Sequence, residues 1–522
     1  MKRYDLVVIG AGPAGLCAAV EGAKKGMSTV VFDENAKPGG QLFKQIHKFF
    51  GSKEHKAKVR GINIGKELLE EARDCGVEVN LNSPVIGIFP EKTVSVMKED
   101  HIETCKANSI VVATGASERM IPFEGWTIPG VIGAGAAQTM INLHGVCPGK
   151  RILMVGSGNV GLVVGFQLLQ AGCELVGVID AAPRIGGYGV HASKLSRTGV
   201  NFYLSHTIVK AEGTDKVTGV TIGEVDKTWN IIPGTEKHFD IDTICVAVGL
   251  NPMSQLVRMT GVKMEDRGGL VPVCDKYGCT SIPGIFAAGD VAGIEEASSA
   301  MINGHIAGLA AAKYGKYIEE KEFEQEYIKY SNSIEQLRQG MFSRENRGRT
   351  DLAQTDEGYG ISQFLLKNGY IDETEIDQYP GVTKKSGIHP VIECTQNIPC
   401  NPCQDACKFG CIKIGDKITA LPAVDDDKDC RNCGMCVASC SGQAIFLVDD
   451  DCGDGFATVT LPYEFLPLPS VGDRGSALDR RGKVVGEAEV IDIKKSEAFD
   501  KTVLLTIKVP KELSGSARFF KK

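Results

Sequence analysis

The sequence predicts an α/β chain with two strand–turn–helix–strand units, a cysteine-rich module and an all-β tail. Three observations carry that expectation. The stretches "YDLVVIGAGPAGLCAAVEGAKKGMSTVVFDEN" and "RILMVGSGNVGLVVGFQLLQAGCELVGVID" each set a G-x-G-x-x-G turn between an apolar strand and a helix. Nine of the 18 cysteines fall between Cys394 and Cys440, a clustering typical of metal sites and foreign to a spread disulfide framework. From about Gly453 onward apolar and polar residues alternate between Gly/Asp turns, which is strand periodicity.

At 522 residues the chain exceeds a single core, so roughly two to four domains are expected. Its net charge of -7 gives no basic footprint for nucleic acid. No uninterrupted apolar stretch is long enough to span a membrane. The start, "MKRYDLVVIGAGPAGLCAAV", has the outline of a signal peptide, but Asp5 and the glycines interrupt it and a buried strand fits better. With no disulfide framework, a cytoplasmic, reducing location is expected.

In the first unit Gly10 permits a tight turn, Gly12 lets backbone approach a pyrophosphate, and Gly15 lets helix and strand pack. Pro13 and Ala14 open the helix, whose N-terminal N–H groups face the anion. Asp33, with Glu34 as the competing assignment, stands where an acid would bind a ribose hydroxyl. Three further motifs follow in order: "PGGQ" (Pro38–Gln41, with Gly40 and Gln41), "VVATGA" (Val111–Ala116, with Ala113, Thr114 and Gly115) and "GIFAAGD" (Gly284–Asp290, with Gly289). The set resembles the two-dinucleotide-domain flavoprotein superfamily that includes the thioredoxin and lipoamide reductases. That resemblance implies a Rossmann-like FAD domain in which Asp290 meets the ribityl chain of FAD; a helix N-cap is the structural alternative for Asp290.

The second unit repeats the pattern with Gly156, Gly158, Asn159, Val160 and Gly161, and Asp180 ends its second strand. An acid there favours NAD over NADP, because it repels a 2'-phosphate. A duplicated domain that has kept its fold and lost its ligand is the alternative. "VAVGLNP" at Val246–Pro252 returns the chain to the first domain. The expected boundaries are residues 1–117 and 248–320 for a split FAD domain and 118–247 for an inserted NAD-type domain.

Disulfide reductases of this superfamily need a redox-active cysteine pair beside the flavin. "PGGQLFKQIHKFFG" contains none and the second unit has no C-x-x-C; Cys274 and Cys279 read as two buried thiols, with a pairing between them as the alternative. Residues 113–140, "ATGASERMIPFEGWTIPGVIGAGAAQTM", resemble instead the flavoprotein alpha subunits of heteromeric amino-acid and imino-acid dehydrogenases, of the opine oxidase, dye-linked L-proline dehydrogenase and hydrogen cyanide synthase type. The likeness covers roughly residues 1–320. It implies two kinds of partner: an amine-oxidising chain with its own FAD, and a small iron–sulfur subunit. The chain departs from these relatives at its C-terminal end, where their C-x-C element is missing and nine cysteines stand in its place.

Those cysteines form two runs. Cys430, Cys433, Cys436 and Cys440 have the C-x2-C-x2-C-x3-C spacing of a cubane site. Laid over this run, the first run gives Cys394, Cys400, Cys403 and Cys407 as ligands, and places Cys411 on Ala444 as a packing residue. A second register, Cys400 to Cys411, stays open. The doubled run resembles a bacterial two-cluster ferredoxin, which implies that the fourth cysteine of each run ligates the other cluster. One [4Fe–4S] cluster then takes Cys394, Cys400, Cys403 and Cys440, and the other Cys407, Cys430, Cys433 and Cys436. Zinc is the non-redox alternative for thiolate ligands.

The full expectation is an α/β two-dinucleotide-binding-domain flavoprotein with a helical connector at 321–390, a ferredoxin-like 2[4Fe–4S] domain at 391–452 and a small antiparallel β domain at 453–522. "RENRGRT" reads as a polar loop in the connector. Functionally the chain reads as an FAD- and iron–sulfur-containing electron-transfer component using NAD(H). A self-contained NADH:acceptor oxidoreductase, resembling the glutamate synthase small subunit, is the alternative.

Overall fold

Residues that are apolar in succession form the central strands, because a parallel sheet covered on both faces exposes neither side to water. The computed structural model describes residues 1–340 and 362–522; "RENRGRT" lies outside them. The chain divides into two compact units. The first holds Met1–Ser117 and the described chain from Leu250; the second holds Glu118–Gly249 and the described chain from residue 362.

In the first unit Lys2–Ile9 lies between Thr29–Phe32 and the long strand Ile102–Val112, parallel to both. Ile285–Ala287 pairs in parallel with the end of that long strand, and Thr93–Met97 pairs antiparallel with its start. Helix Pro13–Lys24 covers the sheet, and helix Ala297–Tyr314 packs on it closely enough that a Cβ at Gly304 would meet the Ala14 carbonyl at 2.1 Å. Leu6, Val8, Leu16, Val31, Val111 and Phe286 form the core between these layers, each such side chain contributing roughly 1.5–3 kcal/mol on full burial.

The second unit contains a five-stranded parallel sheet in the order 202–204, 174–180, 151–155, 243–246, 131–133. It also contains a seven-stranded antiparallel sheet in the order 389–392, 445–449, 456–463, 503–510, 484–494, 474–478, 519–521. Phe456–Tyr463 is its spine, buried through Ala457, Val459 and Leu461.

Two expected boundaries meet a different arrangement. Strand Ile445–Asp449 pairs with Phe456–Tyr463, so one sheet runs across the expected junction at 452/453. The cysteine module and the tail share a sheet because each alone has an apolar face to bury. The expected connector is also not one body: helix Glu320–Arg338 packs into the first unit through Phe323, Ile334 and Leu337, whereas helix Gln363–Asn368 buries Leu365 in the second. Among the described residues no helix is long and apolar enough to cross a membrane.

Candidate functional site

The three glycines of each loop have separable jobs. Gly10 has φ +104°, and a Cβ there would meet the Ala113 carbonyl at 2.4 Å; at Gly15 it would meet the Gly10 carbonyl at 1.8 Å. Those two are dictated by packing. At Gly12 the nearest atom is Gly40 Cα at 3.9 Å, so its missing side chain leaves open space before the helix N-terminus. The second loop repeats this: Gly156 against Ala247 O at 2.3 Å, Gly161 against Gly156 O at 2.0 Å, and nothing within 4 Å of Gly158. In both loops the middle glycine opens a cradle of the kind a pyrophosphate fills.

The acids brace these loops. Asp33 accepts the Ala11 N–H at 2.5 Å and the Asn35 N–H at 2.7 Å, while Glu34 is exposed. Asp180 accepts the Ser157 N–H at 2.7 Å, the Ser157 hydroxyl at 2.6 Å and the Ala182 N–H at 2.9 Å. A carboxylate has about four acceptor sites, so Asp180 keeps capacity for a ribose hydroxyl.

Around the first loop, Gly40 has φ +53°, and a Cβ there would meet Gly12 Cα at 2.8 Å, with Gln41 exposed beside it. The Ala113–Gly115 stretch is held by the Thr114 hydroxyl, which donates to the Met253 carbonyl at 2.6 Å. Gly289, with φ +73°, lies against Ala14, where its Cβ would come within 2.8 Å. This brings Asp290 to the loop. Asp290 is not the N-cap of its short 3-10 turn; Ala288 is, and Asp290 Oδ1 accepts the Glu295 N–H at 3.2 Å.

Around the second loop Asn159 accepts the Tyr188 N–H at 2.8 Å through its side-chain oxygen, and Val160, in the place of Ala14, is 44% exposed. Sequence reasoning passed over Gly186 and Gly187 here. The Gly187 N–H donates to Ser157 O at 2.9 Å, as the Gly39 N–H donates to Ala11 O at 2.7 Å. The signal was present: "DENAKPGG" and "DAAPRIGG" have the same acid-to-glycine spacing.

The two cysteine runs fold alike. Helix Pro402–Ala406 carries Cys403 and ends on Cys407; helix Met435–Ser439 carries Cys436 and ends on Cys440. The thiols near each other, however, come from both runs. Cys394 and Cys403 lie near Cys440, whereas Cys407 lies near Cys430 and Cys436, with Cys433 beside Cys430. Cys400 lies between Cys394 and Cys403 in sequence, and its N–H donates to the Ile418 carbonyl at 3.1 Å. Cys411 is buried immediately before strand Ile412–Lys413, its S–H donating to the Asp429 carbonyl at 3.3 Å.

Burial pushes the Cys403 thiol up to about 12, with nearby Cys440 adding to the rise. Burial likewise raises Cys440, against backbone N–H groups of Ala444, Gly442 and Gln443 and the Arg197 charge. Sulfur ligands with backbone N–H donors fit an iron–sulfur site, whose iron offsets the thiolate charge. Among the described residues no three His, Cys, Asp or Glu side chains converge on a single-ion site.

A buried ionic group borders the Cys394/Cys440 side. Glu393 accepts from Arg480 Nη2 at 2.6 Å and Arg518 Nε at 2.5 Å. Burial opposes its charge, but the two guanidinium groups prevail and hold it down to about 2. Cys274 and Cys279, expected as buried thiols, are half-buried. Burial and the neighbouring Asp275 push Cys279 up to about 12, the opposite of a reactive thiolate.

Fold and loops together define an FAD-dependent oxidoreductase. Residues 4–304 match the family described as pyridine nucleotide-disulphide oxidoreductase, and the chain belongs to it. It is 28% identical to the HcnB subunit of hydrogen cyanide synthase from Pseudomonas aeruginosa, over 67% of this chain and 81% of that protein. It is 31% identical to the A subunit of opine oxidase from Agrobacterium tumefaciens, over 59% of this chain and 65% of that one. Thioredoxin reductase from T. acidophilum shares the fold, with TM-score 0.50 and 22% identity over 61% of this chain and all of that one.

Proposed function

We propose that the chain is the electron-transferring subunit of a heteromeric amino-acid or imino-acid dehydrogenase. FAD occupies the first loop and NAD(H) the second; two [4Fe–4S] clusters are held by Cys394, Cys400, Cys403 and Cys440 and by Cys407, Cys430, Cys433 and Cys436. The observation that carries this reading is the crossed grouping of thiols, Cys403 with Cys440 and Cys407 with Cys436, in a chain that also has an FAD fold. It speaks against a single Cys400–Cys411 ligand set, since Cys403 and Cys407 face different groups, while Cys411 lies beside Cys407 and Cys430. A hydride donor gives electrons in pairs and a cubane takes them one at a time; a flavin can do either, so a chain holding flavin and cubanes would join two kinds of redox partner.

The chain's own residues bind and orient. Gly12 and Gly158 open the approach for pyrophosphates, and the helix N-termini behind them offer N–H groups. Asp290 orients the flavin side chain. Asp180 holds the adenine ribose and disfavours a 2'-phosphate. The substrate side belongs to a second flavoprotein that oxidises the amine; both relatives are themselves named as subunits of larger enzymes. Those relatives also weigh against a self-contained NADH:acceptor oxidoreductase, which would return if no second flavoprotein copurified and the isolated chain still reduced dyes rapidly with NADH.

Cofactor analysis tests the reading. The purified protein should contain one FAD per chain, with about eight iron and eight acid-labile sulfide for two four-iron clusters. Cys411→Ser should keep both clusters and Cys407→Ser should lose one. Zinc in place of iron, or a cluster lost from Cys411→Ser, would sink the ligand assignment.

A further inference from the structure

The two cysteine groups share a helical frame but not a charge environment. Next to the Cys394/Cys440 group stand Arg197, Arg480, Arg518 and Glu393, all between 2% and 5% exposed. Arg197 follows helix Gly189–Ser196 and donates to the Gln443 carbonyl at 2.9 Å, three residues past Cys440. Its charge reaches the Cys440 sulfur. Glu393 immediately precedes Cys394 and takes both Arg480 and Arg518. Arg197 and Arg518 each stack on the Phe446 ring, at 5.0 and 5.1 Å. A guanidinium stays protonated at neutral pH even in a buried site, so Arg197 and Arg518 both carry charge. Three guanidinium groups around the one carboxylate they share leave a buried excess of positive charge. Two further acids adjoin them: Asp479, buried next to Arg480 in sequence but accepting the Arg481 and Lys483 N–H groups, and Glu373, which lies 3.9 Å from Arg480 and is 55% exposed, so solvent screens it.

The second group has another setting. Cys433 is exposed. The charged side chains around this group include Lys494, which donates to the Asn432 carbonyl at 3.4 Å and is 38% exposed, and the exposed Lys413, which pairs with the half-buried Asp425 beside Cys411. Water and salt damp their fields.

A cubane with four thiolates is an anion that gains a further negative charge on reduction. Burial disfavours that reduced form, whereas fixed positive charge in a poorly polarisable interior favours it. We propose that the Arg197–Arg480–Arg518–Glu393 group is a built-in electrostatic bias that raises the reduction potential of the Cys394/Cys400/Cys403/Cys440 cluster and leaves the other cluster alone. It offsets the depression that burial imposes and makes the buried cluster a usable electron store. The inference rests on the two-cluster reading above.

The test is a potentiometric titration of the whole chain followed by low-temperature EPR. Cys433→Ser, which alters an exposed ligand of the second cluster, identifies that cluster's signal. Arg197→Gln should make the first cluster harder to reduce by at least about tenfold in its equilibrium constant, which is about 59 mV for one electron. Arg197→Lys should restore most of that loss. Glu393→Gln should shift the same midpoint upward, an opposite sign that a merely structural disturbance would not produce. Arg197→Lys and Glu393→Gln keep the test decisive if Arg197→Gln fails to fold. Unmoved midpoints, equal shifts in both clusters, or a shift confined to the signal that Cys433→Ser perturbs would overturn the inference while leaving two clusters in place. Absence of any cubane signal after dithionite reduction of the parent protein would instead remove the two-cluster reading on which it stands.

Discussion

The two Gly-rich loops repeat the same contacts, yet their surroundings differ. Each has an acid accepting a loop N–H, a first glycine under a carbonyl and a third glycine against the first. The first loop is covered: Ala14 lies beneath Gly289 and Gly304, and Asp290 arrives with them. At the second, Val160 is exposed, and a Gly-Gly turn anchors to Ser157 and Asn159. That turn leads into helix Gly189–Ser196, whose first N–H meets Gln396 Oε1 at 2.6 Å, two residues past Cys394. A repeated frame thus sets where a dinucleotide can lie, and the elements laid over it decide what each site does.

The comparison breaks most visibly at the third glycines. Gly15→Ala or Gly161→Ala forces a methyl into a carbonyl oxygen and should destabilise its unit by about 3 kcal/mol or more, read by chemical denaturation. Gly12→Ala and Gly158→Ala have room and should change stability by only about 1 kcal/mol. They should instead weaken nucleotide binding at their own site by at least about tenfold. Equal damage from the middle and third positions would contradict the division of labour.

Asp290→Asn sharpens the difference in covering. It should weaken FAD retention by about tenfold to a hundredfold, the scale of one charge-assisted hydrogen bond, and leave NADH affinity unchanged. Asp180→Ser should act only at the second loop. The parent protein should take NADPH at least about tenfold more weakly than NADH, and the variant should narrow that gap. Equal use of both nucleotides by the parent protein would remove the role given to Asp180.

The smallest effect lies behind the first loop. His305 Nδ1 meets Glu21 Oε2 at 3.0 Å, and the Tyr330 hydroxyl donates to the same oxygen at 2.7 Å. Burial opposes the ring's charge, but Cys17 and Glu21 beside it hold His305 up at about 10. A raised folded-state value stabilises fully below the ordinary histidine value of about 6.5 and is lost as pH rises through about 10. Thermal release of flavin should therefore shift to lower temperature between pH 7 and pH 10, and His305→Gln should flatten that dependence.

What could be read in the sequence was local. Gly10 to Gly15 and Gly156 to Gly161 fix their own turns, and Cys430 to Cys440 lie within one helical turn and its flanks, so spacing carries the geometry. Spacing alone left Asp33 and Glu34 undecided; the Ala11 N–H, reached only by the returning strand, separates them. The arginine group left no trace in the sequence. Arg480 and Arg518 lie 87 and 125 residues from Glu393, and Arg197 lies 246 residues from Gln443, so only the fold brings them together. The tail strands were visible as a period-two pattern, but their pairing with Ile445–Asp449 depended on which apolar face lacked a partner.

The central claim is that paired electrons entering at a dinucleotide leave singly through clusters within this one chain. Anaerobic titration of the purified protein with NADH, following flavin absorbance and low-temperature EPR together, tests it most directly. The account predicts that the flavin bleaches and cubane signals grow in the same titration. Full reduction by dithionite with no response to NADH would contradict it, and would leave the second loop a scaffold and a partner chain the sole source of electrons.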